Sequence, residues 1–198
     1  MTPSRAALLV VDVQRDFCPG GVLPVERGDK VVPALNRIIG AFEDMGLPIF
    51  FTRDWHPPNH ISFNGRGGPW PPHCVQGTRG AEFHPDLLIP PDAKIISKGN
   101  NPQLEAYSSF QGTGLEARLR RAGVDEIFLG GLTTDYCVKE SVIDARRGGF
   151  SVEVLRDCIR PVDVKPGDGA RALKEMLKAG AKLTTSSEAI KRLASTQQ

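Results

Sequence analysis

The sequence contains no hydrophobic run that could cross a membrane. Its first apolar stretch, residues 6–11, is interrupted by Asp12, whereas a membrane-spanning helix needs about 20 apolar residues. The N-terminus also lacks the long apolar stretch and the cleavage site of a signal peptide. We therefore expect no membrane partner and a cytoplasmic location.

Cysteine is scarce as well, and no two cysteines form a Cys-x-x-Cys pair. The four cysteines, scattered over 198 residues, are Cys18, Cys74, Cys137 and Cys158. A chain of this length can bury a hydrophobic core without disulfide bonds. The pattern therefore predicts free thiols in a reducing compartment.

No charge of one sign dominates. The formal net charge is +2, and the basic residues are dispersed, so no nucleic-acid partner is expected. No internal repeat is visible either. The hydrophobic content of 40% is typical of a globular protein. We predict one domain over residues 1–198, with residues 194–198 as a frayed tail.

Strand-like and helix-like segments alternate along the chain. Near-continuous apolar runs are typical of strands that are buried on both faces of a parallel sheet. The predicted strands cover residues 6–13, 47–52, 94–97, 127–129, 151–155 and 182–185. Because parallel crossovers are right-handed, we predict a three-layer α/β/α sandwich with a mostly parallel six-stranded sheet.

Residues suited to catalysis follow the ends of these strands. Asp12 lies at the end of the first strand, Asp54 and His56 follow the second, Lys98 ends the third and Cys137 follows the fourth. Ligands of open parallel sheets bind beyond the carboxyl ends of the strands. The side chains are therefore predicted to meet at one edge of the sheet.

Cys137 is the candidate nucleophile, since a strand and a tight turn lead into a predicted helix over residues 136–147. Free N–H groups at the helix start, the helix dipole and Lys98 would favour the thiolate. We therefore expect a lowered pKa and faster alkylation than at the other three cysteines. The alternative interpretation is a small buried residue without a chemical role.

Asp12 and Lys98 complete a candidate triad with Cys137. A buried carboxylate is costly unless it is paired, and Lys98 is its natural partner. Asp12 can take the thiol proton and later pass it to a leaving group, while the ammonium stabilises the thiolate. Without Cys137, the same pair would be a structural ion pair.

Asp54, His56 and His73 form a second candidate group. A carboxylate and two imidazoles suit Zn²⁺, Fe²⁺ or Mn²⁺, with positions left open for water or substrate. They lie within residues 54–91, a long irregular stretch of the kind that usually carries function. The alternative is that these histidines are exposed loop residues. Phe17 and Trp70 could line an aromatic pocket or simply pack in the core.

Five segments resemble the metal-bearing nicotinamidases of the isochorismatase-like cysteine hydrolase superfamily. They occur in the family's order between about residues 6 and 185, and they are VVDVQRDF (10–17), TRDWHP (52–57), WPPHCVQGT (70–78), SKG (97–99) and GLTTDYCV (131–138). The resemblance implies hydrolysis of nicotinamide to nicotinate and ammonia, a step of NAD salvage, through a cysteine thioester. It also implies a homo-oligomer.

The resemblance further assigns roles to individual residues. It implies a catalytic triad and one divalent metal, zinc in the first place and iron or manganese as alternatives. The implied triad is Asp12, Lys98 and Cys137, and the implied metal ligands are Asp54, His56 and His73. An oxyanion hole would use the backbone N–H groups of Thr133 and Cys137, after a cis peptide bond between Leu132 and Thr133. The expected substrate contacts are Phe17, Trp70 and Leu132.

Some alternatives stay open at this point. His60 and Ser62 lie in the loop from which some family members take a fourth metal ligand. The same triad would serve a related cysteine amidohydrolase that acts on another small amide or ureide. A non-catalytic ligand-binding relative is the third interpretation, since a fold does not guarantee an activity.

Overall fold

A computed structural model describes residues 5–196, and a six-stranded parallel sheet forms its centre. The strands lie in the order β3-β2-β1-β4-β5-β6, and every pairing between them is parallel. Their bounds are β1 Ala6–Val11, β2 Ile49–Asp54, β3 Lys94–Lys98, β4 Glu126–Leu132, β5 Ser151–Arg160 and β6 Lys182–Thr184. The predicted six-stranded sheet is confirmed.

Helices cover both faces of the sheet and complete the predicted three-layer sandwich. They are α1 Val32–Asp44, α2 Leu115–Arg121, α3 Lys139–Arg147, α4 Asp168–Lys178 and α5 Ser186–Thr196. Within residues 5–196, no helix combines the length and the apolar content that a bilayer crossing requires.

The sequence of β1 shows why this strand lies at the centre of the fold. Leu8 and Val10 belong to a hydrophobic cluster with α1 and α5, whereas Ala7 and Leu9 belong to a second cluster with α2, α3 and α4. Side chains alternate between the two faces of a strand, so a strand buried on both faces has to be apolar at every position. The unbroken apolar run therefore correctly predicted a strand that is buried on both faces of the sheet.

Several predicted boundaries were wrong. Strand β1 ends at Val11 because Asp12 takes a left-handed backbone conformation, with φ of 49°. Strand β2 extends to Asp54. Helix α5 extends to Thr196 and so includes the first residues of the predicted frayed tail, just after the buried side chain of Leu193. Residues 197 and 198 lie outside the described part of the chain.

The turn before α3 also differs from the predicted continuous helix. A single π-helical turn, Thr134–Val138, precedes α3 and contains Cys137. The irregular stretch between β2 and β3 folds over the carboxyl ends of the strands and contains short 3₁₀ turns at Asn64–Arg66 and Arg79–Ala81. This arrangement covers the edge of the sheet at which the chemically active residues were expected.

Candidate active site

The carboxyl ends of four adjacent strands bring the predicted catalytic residues together. Asp12 follows β1, and Cys137 follows β4, which pairs with β1. Asp54 and Lys98 are register partners at the ends of β2 and β3. All four side chains are buried. The expectation that ligands bind beyond the carboxyl ends of parallel strands thus identified the correct edge of the sheet. Water is excluded there, so charge interactions are strong.

Lys98 occupies the centre of this cluster. Its ammonium nitrogen Nζ lies 2.9 Å from Asp12 Oδ2 and donates to Cys137 Sγ at 3.3 Å. It also pairs with Asp54 Oδ1 and donates to the carbonyl oxygen of Ala106 at 3.2 Å. The sequence predicted the pairing with Asp12 but not the one with Asp54. Lys98 therefore links the candidate triad directly to the candidate metal group.

The two carboxylate oxygens of Asp12 have different environments. Oδ1 accepts a hydrogen bond from the Thr52 hydroxyl at 2.7 Å. Oδ2 makes the electrostatic contact with Lys98, and none of the described groups gives it a well-aligned hydrogen bond. Burial raises the pKa of Asp12, and Lys98, the strongest opposing influence, does not cancel this effect. Asp12 is thus a carboxylate with one oxygen open to a proton.

The predicted low pKa of Cys137 is wrong for the resting protein. Burial raises the pKa of this thiol well above its ordinary value, because the thiolate would lose its hydration. Lys98 lowers the pKa, but the nearby carboxylates of Asp12 and Asp54 raise it. The thiol therefore needs a base at the moment of reaction, and Asp12 is the group placed to serve.

Replacing Lys98 by methionine tests this balance of charges. The positive charge that favours the thiolate would be lost, so the pKa of Cys137 should rise further. We expect the curve of alkylation rate against pH, followed for the Cys137 peptide by mass spectrometry, to move to higher pH. Lys174→Met, at an exposed position on α4, is the matched control. An unchanged curve in Lys98→Met would contradict this role of the ammonium.

Asp54, His56 and His73 form a buried group next to the triad. Their potential ligand atoms all lie within 4.8 Å of one another. Within this group, His56 Nε2 lies 3.6 Å from Asp54 Oδ2. The predicted exposed-loop alternative does not hold for these histidines, because both are buried. The structure therefore brings together the three residues that the sequence nominated.

Hydrogen bonds orient both imidazoles for metal binding. His56 Nδ1 lies 3.2 Å from the carbonyl oxygen of Gly99, and His73 Nδ1 lies 2.8 Å from that of Pro71. A carbonyl oxygen only accepts, so each Nδ1 carries a proton, and in the neutral ring each Nε2 has a lone pair. Two such nitrogens beside a carboxylate form a donor set that suits a divalent metal ion.

Gly99 is required for the position of the His56 ring. Its φ is +67°, and a Cβ atom at this position would lie 2.4 Å from His56 Cε1. A side chain would therefore meet both backbone strain and a steric clash. The Ser-Lys-Gly segment thus provides the buried ammonium and the space for the neighbouring imidazole.

His60 and Ser62 are occupied by contacts outside the metal group. His60 Nε2 lies 3.0 Å from the carbonyl oxygen of Leu104, so this nitrogen is the donor. Its Nδ1 pairs with the Ser62 hydroxyl at 2.7 Å. The His60 ring packs on that of His56 with 4.2 Å between centroids. His60 thus packs against His56, and the group of described residues that could hold a metal at this place is Asp54, His56 and His73.

A small, mostly apolar cavity opens beside Cys137. Phe17 and Trp70 line it as expected, together with His73 and the side chain of Tyr107. Trp70 Nε1 donates to the Tyr107 hydroxyl at 2.9 Å. The expected contact Leu132 does not line the cavity, because its side chain is fully buried in the hydrophobic core. Two of the three expected substrate contacts thus line the cavity, and substrate binding by all three stays a prediction.

Tyr107 and Gln14 are among the residues of this region for which the sequence predicted no role. Tyr107 lies in an irregular segment without a motif. Gln14 lies within the segment VVDVQRDF (10–17), but the resemblance implies no role for it. Its side chain donates to the carbonyl oxygen of Asp54 at 2.8 Å and accepts from the N–H of Asp54 at 2.7 Å. Gln14 thus replaces the strand pairing that β1 loses beyond Val11.

The peptide bond between Leu132 and Thr133 is cis, as the resemblance implies. It lies between β4 and the turn that carries Cys137. Gly131, just before it, has φ of +130°, and a Cβ atom there would lie 2.0 Å from the carbonyl oxygen of Val11. Only glycine permits this close approach of β4 to β1.

Comparison with known proteins agrees with this geometry. The family model of the isochorismatase domain matches residues 6–188. The chain belongs to the isochorismatase family. Within this family, it is 42% identical to the nicotinamidase of Escherichia coli over an alignment that covers 92% of this chain and 95% of that protein. The resemblance recognised in the sequence is confirmed.

Solved structures of other members have the same fold. The pyrazinamidase of Pyrococcus horikoshii, determined in complex with zinc, is 51% identical, with a TM-score of 0.88 and coverage of 91% of this chain and 99% of that one. PnC1 from L. infantum, determined in complex with nicotinate, is 36% identical with a TM-score of 0.86, covering 93% of this chain and 94% of that one. The isochorismatase-family fold is thus shared over nearly the whole chain.

Proposed function

We propose that this chain is a metal-dependent nicotinamidase, which hydrolyses nicotinamide to nicotinate and ammonia in NAD salvage. The observation that carries the proposal is the buried contact of Lys98 with Asp12, Asp54 and Cys137. It joins a nucleophile and its base to a group of metal-binding side chains beside an aromatic cavity. The identity to the E. coli nicotinamidase supports the same activity.

The reaction begins with proton transfer from the Cys137 thiol to Asp12 Oδ2. The sulfur then attacks the carboxamide carbon, and the backbone N–H groups of Thr133 and Cys137 stabilise the oxyanion. Asp12 returns the proton to the nitrogen, the C–N bond breaks, and ammonia leaves a thioester on Cys137. Asp12 next takes a proton from water, whose oxygen attacks the thioester, and returns this proton to the departing sulfur. The thiol and the ionised Asp12 are thereby restored, and the acid leaves as nicotinate after losing its proton to solvent. Lys98 offsets the negative charge throughout.

We assign the metal to Asp54, His56 and His73, with zinc as the proposed ion. When bound, the cation supplies a Lewis acid that can hold a ring nitrogen of the substrate. The zinc complex of the P. horikoshii relative supports this choice. Phe17 and Trp70 provide flat apolar surfaces for a pyridine ring. The free cysteines of the described chain fit the cytoplasm, and the homo-oligomer stays a prediction.

A panel of amides tests the substrate. The matched substrates are nicotinamide, pyrazinamide and an aliphatic amide, compared by kcat/KM for ammonia release from metal-replete protein. We expect both aromatic amides to exceed the aliphatic one, because only they can use the aromatic wall and a ring nitrogen. A preference for the aliphatic amide would overturn the nicotinamide assignment and favour the related amidohydrolase.

Replacing His73 by alanine separates metal binding from the chemistry at Cys137. We expect lower metal content and a higher KM, with partial recovery of activity in excess zinc, because one of three ligands is lost. Alkylation of Cys137 should change less, since Lys98 remains beside the thiol. Metal analysis, steady-state kinetics and peptide mapping provide the measurements.

His84→Ala is the matched control for that variant, because His84 lies outside the metal group and bonds to the backbone of Asp86. It should keep wild-type metal content and KM. A His73→Ala protein with a full metal complement and an unchanged KM would remove His73 from the ligand set.

A further inference from the structure

A chain of buried hydroxyl groups leads from the interior of the protein to Asp12. The Thr52 hydroxyl donates to Asp12 Oδ1 at 2.7 Å. Ser109 Oγ donates to Thr52 Oγ1 at 3.5 Å, the longest link, and Ser141 Oγ donates to Ser109 Oγ at 2.8 Å. These three residues are fully buried. Water therefore has no access that would let it substitute for a lost hydroxyl.

Both ends of this chain fix the direction of its hydrogen bonds. An ionised carboxylate only accepts, so the Thr52 hydroxyl has to donate to Asp12. At the other end, the backbone N–H of Ser109 donates to Ser141 Oγ at 2.8 Å, which leaves the Ser141 hydrogen for Ser109 Oγ. Every donor therefore points towards Asp12. Such chains strengthen their last bond by polarisation, but an amide N–H at the start cannot release a proton.

Thr52 also holds the backbone of Asp12. The N–H of Asp12 donates to the carbonyl oxygen of Thr52 at 3.1 Å, just where β1 ends and Asp12 turns to positive φ. Thr52 itself is fixed within β2, between β1 and β3. Strand β2 thus anchors both the side chain and the backbone of Asp12, which lies just beyond the end of β1.

We propose that Thr52 is a positioning residue for Asp12, which occupies Oδ1 and restricts proton exchange with Cys137 and the departing ammonia to Oδ2. Without the hydroxyl, the carboxylate loses its anchor and can rotate away from the thiol. Ser109 and Ser141 orient the Thr52 hydroxyl. The inference rests on the proposed function, because it assigns Asp12 the role of proton carrier.

Two substitutions of Thr52 separate the hydroxyl from the shape of the side chain. Thr52→Val keeps the β-branched shape and removes the donor, whereas Thr52→Ser keeps the donor. We expect Thr52→Val to lower kcat for nicotinamide about 10- to 100-fold, the effect of one lost bond to a charged group. KM and zinc content should stay close to wild type, because Thr52 does not line the cavity and its hydrogen bonds go to Asp12 and Ser109. Thr52→Ser should restore most of kcat.

Wild-type kcat in Thr52→Val would overturn the proposal. Equal losses in Thr52→Val and Thr52→Ser would also overturn it, since the methyl group and not the hydroxyl would then matter. If a thermal melt shows that Thr52→Val is not folded, Ser109→Ala is the variant to measure. A lower kcat at unchanged KM in Ser109→Ala supports the proposal. An unchanged kcat overturns it. A wild-type protein that leaves nicotinamide intact would instead contradict the proposed function, so the two failures are distinguishable.

Discussion

Cys137→Ala is expected to abolish the hydrolysis of nicotinamide, with a loss in kcat of at least about 10⁴-fold. The variant lacks the atom that attacks the carboxamide carbon, and the other three cysteines are buried and do not line the cavity beside it. The fold should persist, because a small residue replaces a small residue. Ammonia release measured at saturating substrate checks the result.

Cys158→Ala is the matched control for this variant, since Cys158 is equally buried but belongs to the hydrophobic cluster between the sheet and α1. It should keep nearly full activity. A Cys137→Ala protein that turns over nicotinamide at a rate near that of Cys158→Ala would remove the thioester from the mechanism.

Asp12→Asn is the second substitution with a large expected effect, a loss in kcat of about 10²- to 10⁴-fold. The amide keeps the shape of the carboxylate but cannot take the thiol proton or return it to the departing nitrogen. Binding should suffer less than turnover, because Asp12 does not line the aromatic cavity and is not one of the three proposed metal ligands. Steady-state kinetics with zinc-replete protein separates the two quantities.

An exposed carboxylate provides the comparison for this variant. Asp44→Asn, at the C-terminal end of α1, should leave both kcat and KM unchanged. If Asp12→Asn retained a kcat within about 10-fold of wild type, another group would have to act as the base, and the assignment of Asp12 would fail.

The layer architecture and the location of the site were predictable because both depend on local patterns. An unbroken apolar strand such as β1 has to be covered on two faces, and alternation of strands and helices then implies a parallel sheet. The carboxyl ends of neighbouring parallel strands share one edge, so Asp12, Lys98 and Cys137 had to come close. No knowledge of loop conformation was needed for this step.

Contacts that depend on three-dimensional packing were not predictable in the same way. The pKa of Cys137 was predicted with the wrong sign, because the sequence showed the helix start and Lys98 but not the depth of burial or the second carboxylate, Asp54. Leu132 lies next to a functional turn in the chain but points into the core. Tyr107 lies outside the five segments, and Thr52 lies inside one of them but had no predicted role, so only the fold shows that both belong to the site.

The proposed hydrolysis of nicotinamide is tested most simply by product analysis, after incubation of nicotinamide with the purified, zinc-replete wild-type protein. Nicotinate and ammonia are quantified together over time. We expect both products to appear in equal amounts, at a rate proportional to enzyme concentration. The proposed hydrolysis would be contradicted by a folded, zinc-loaded protein that releases neither product.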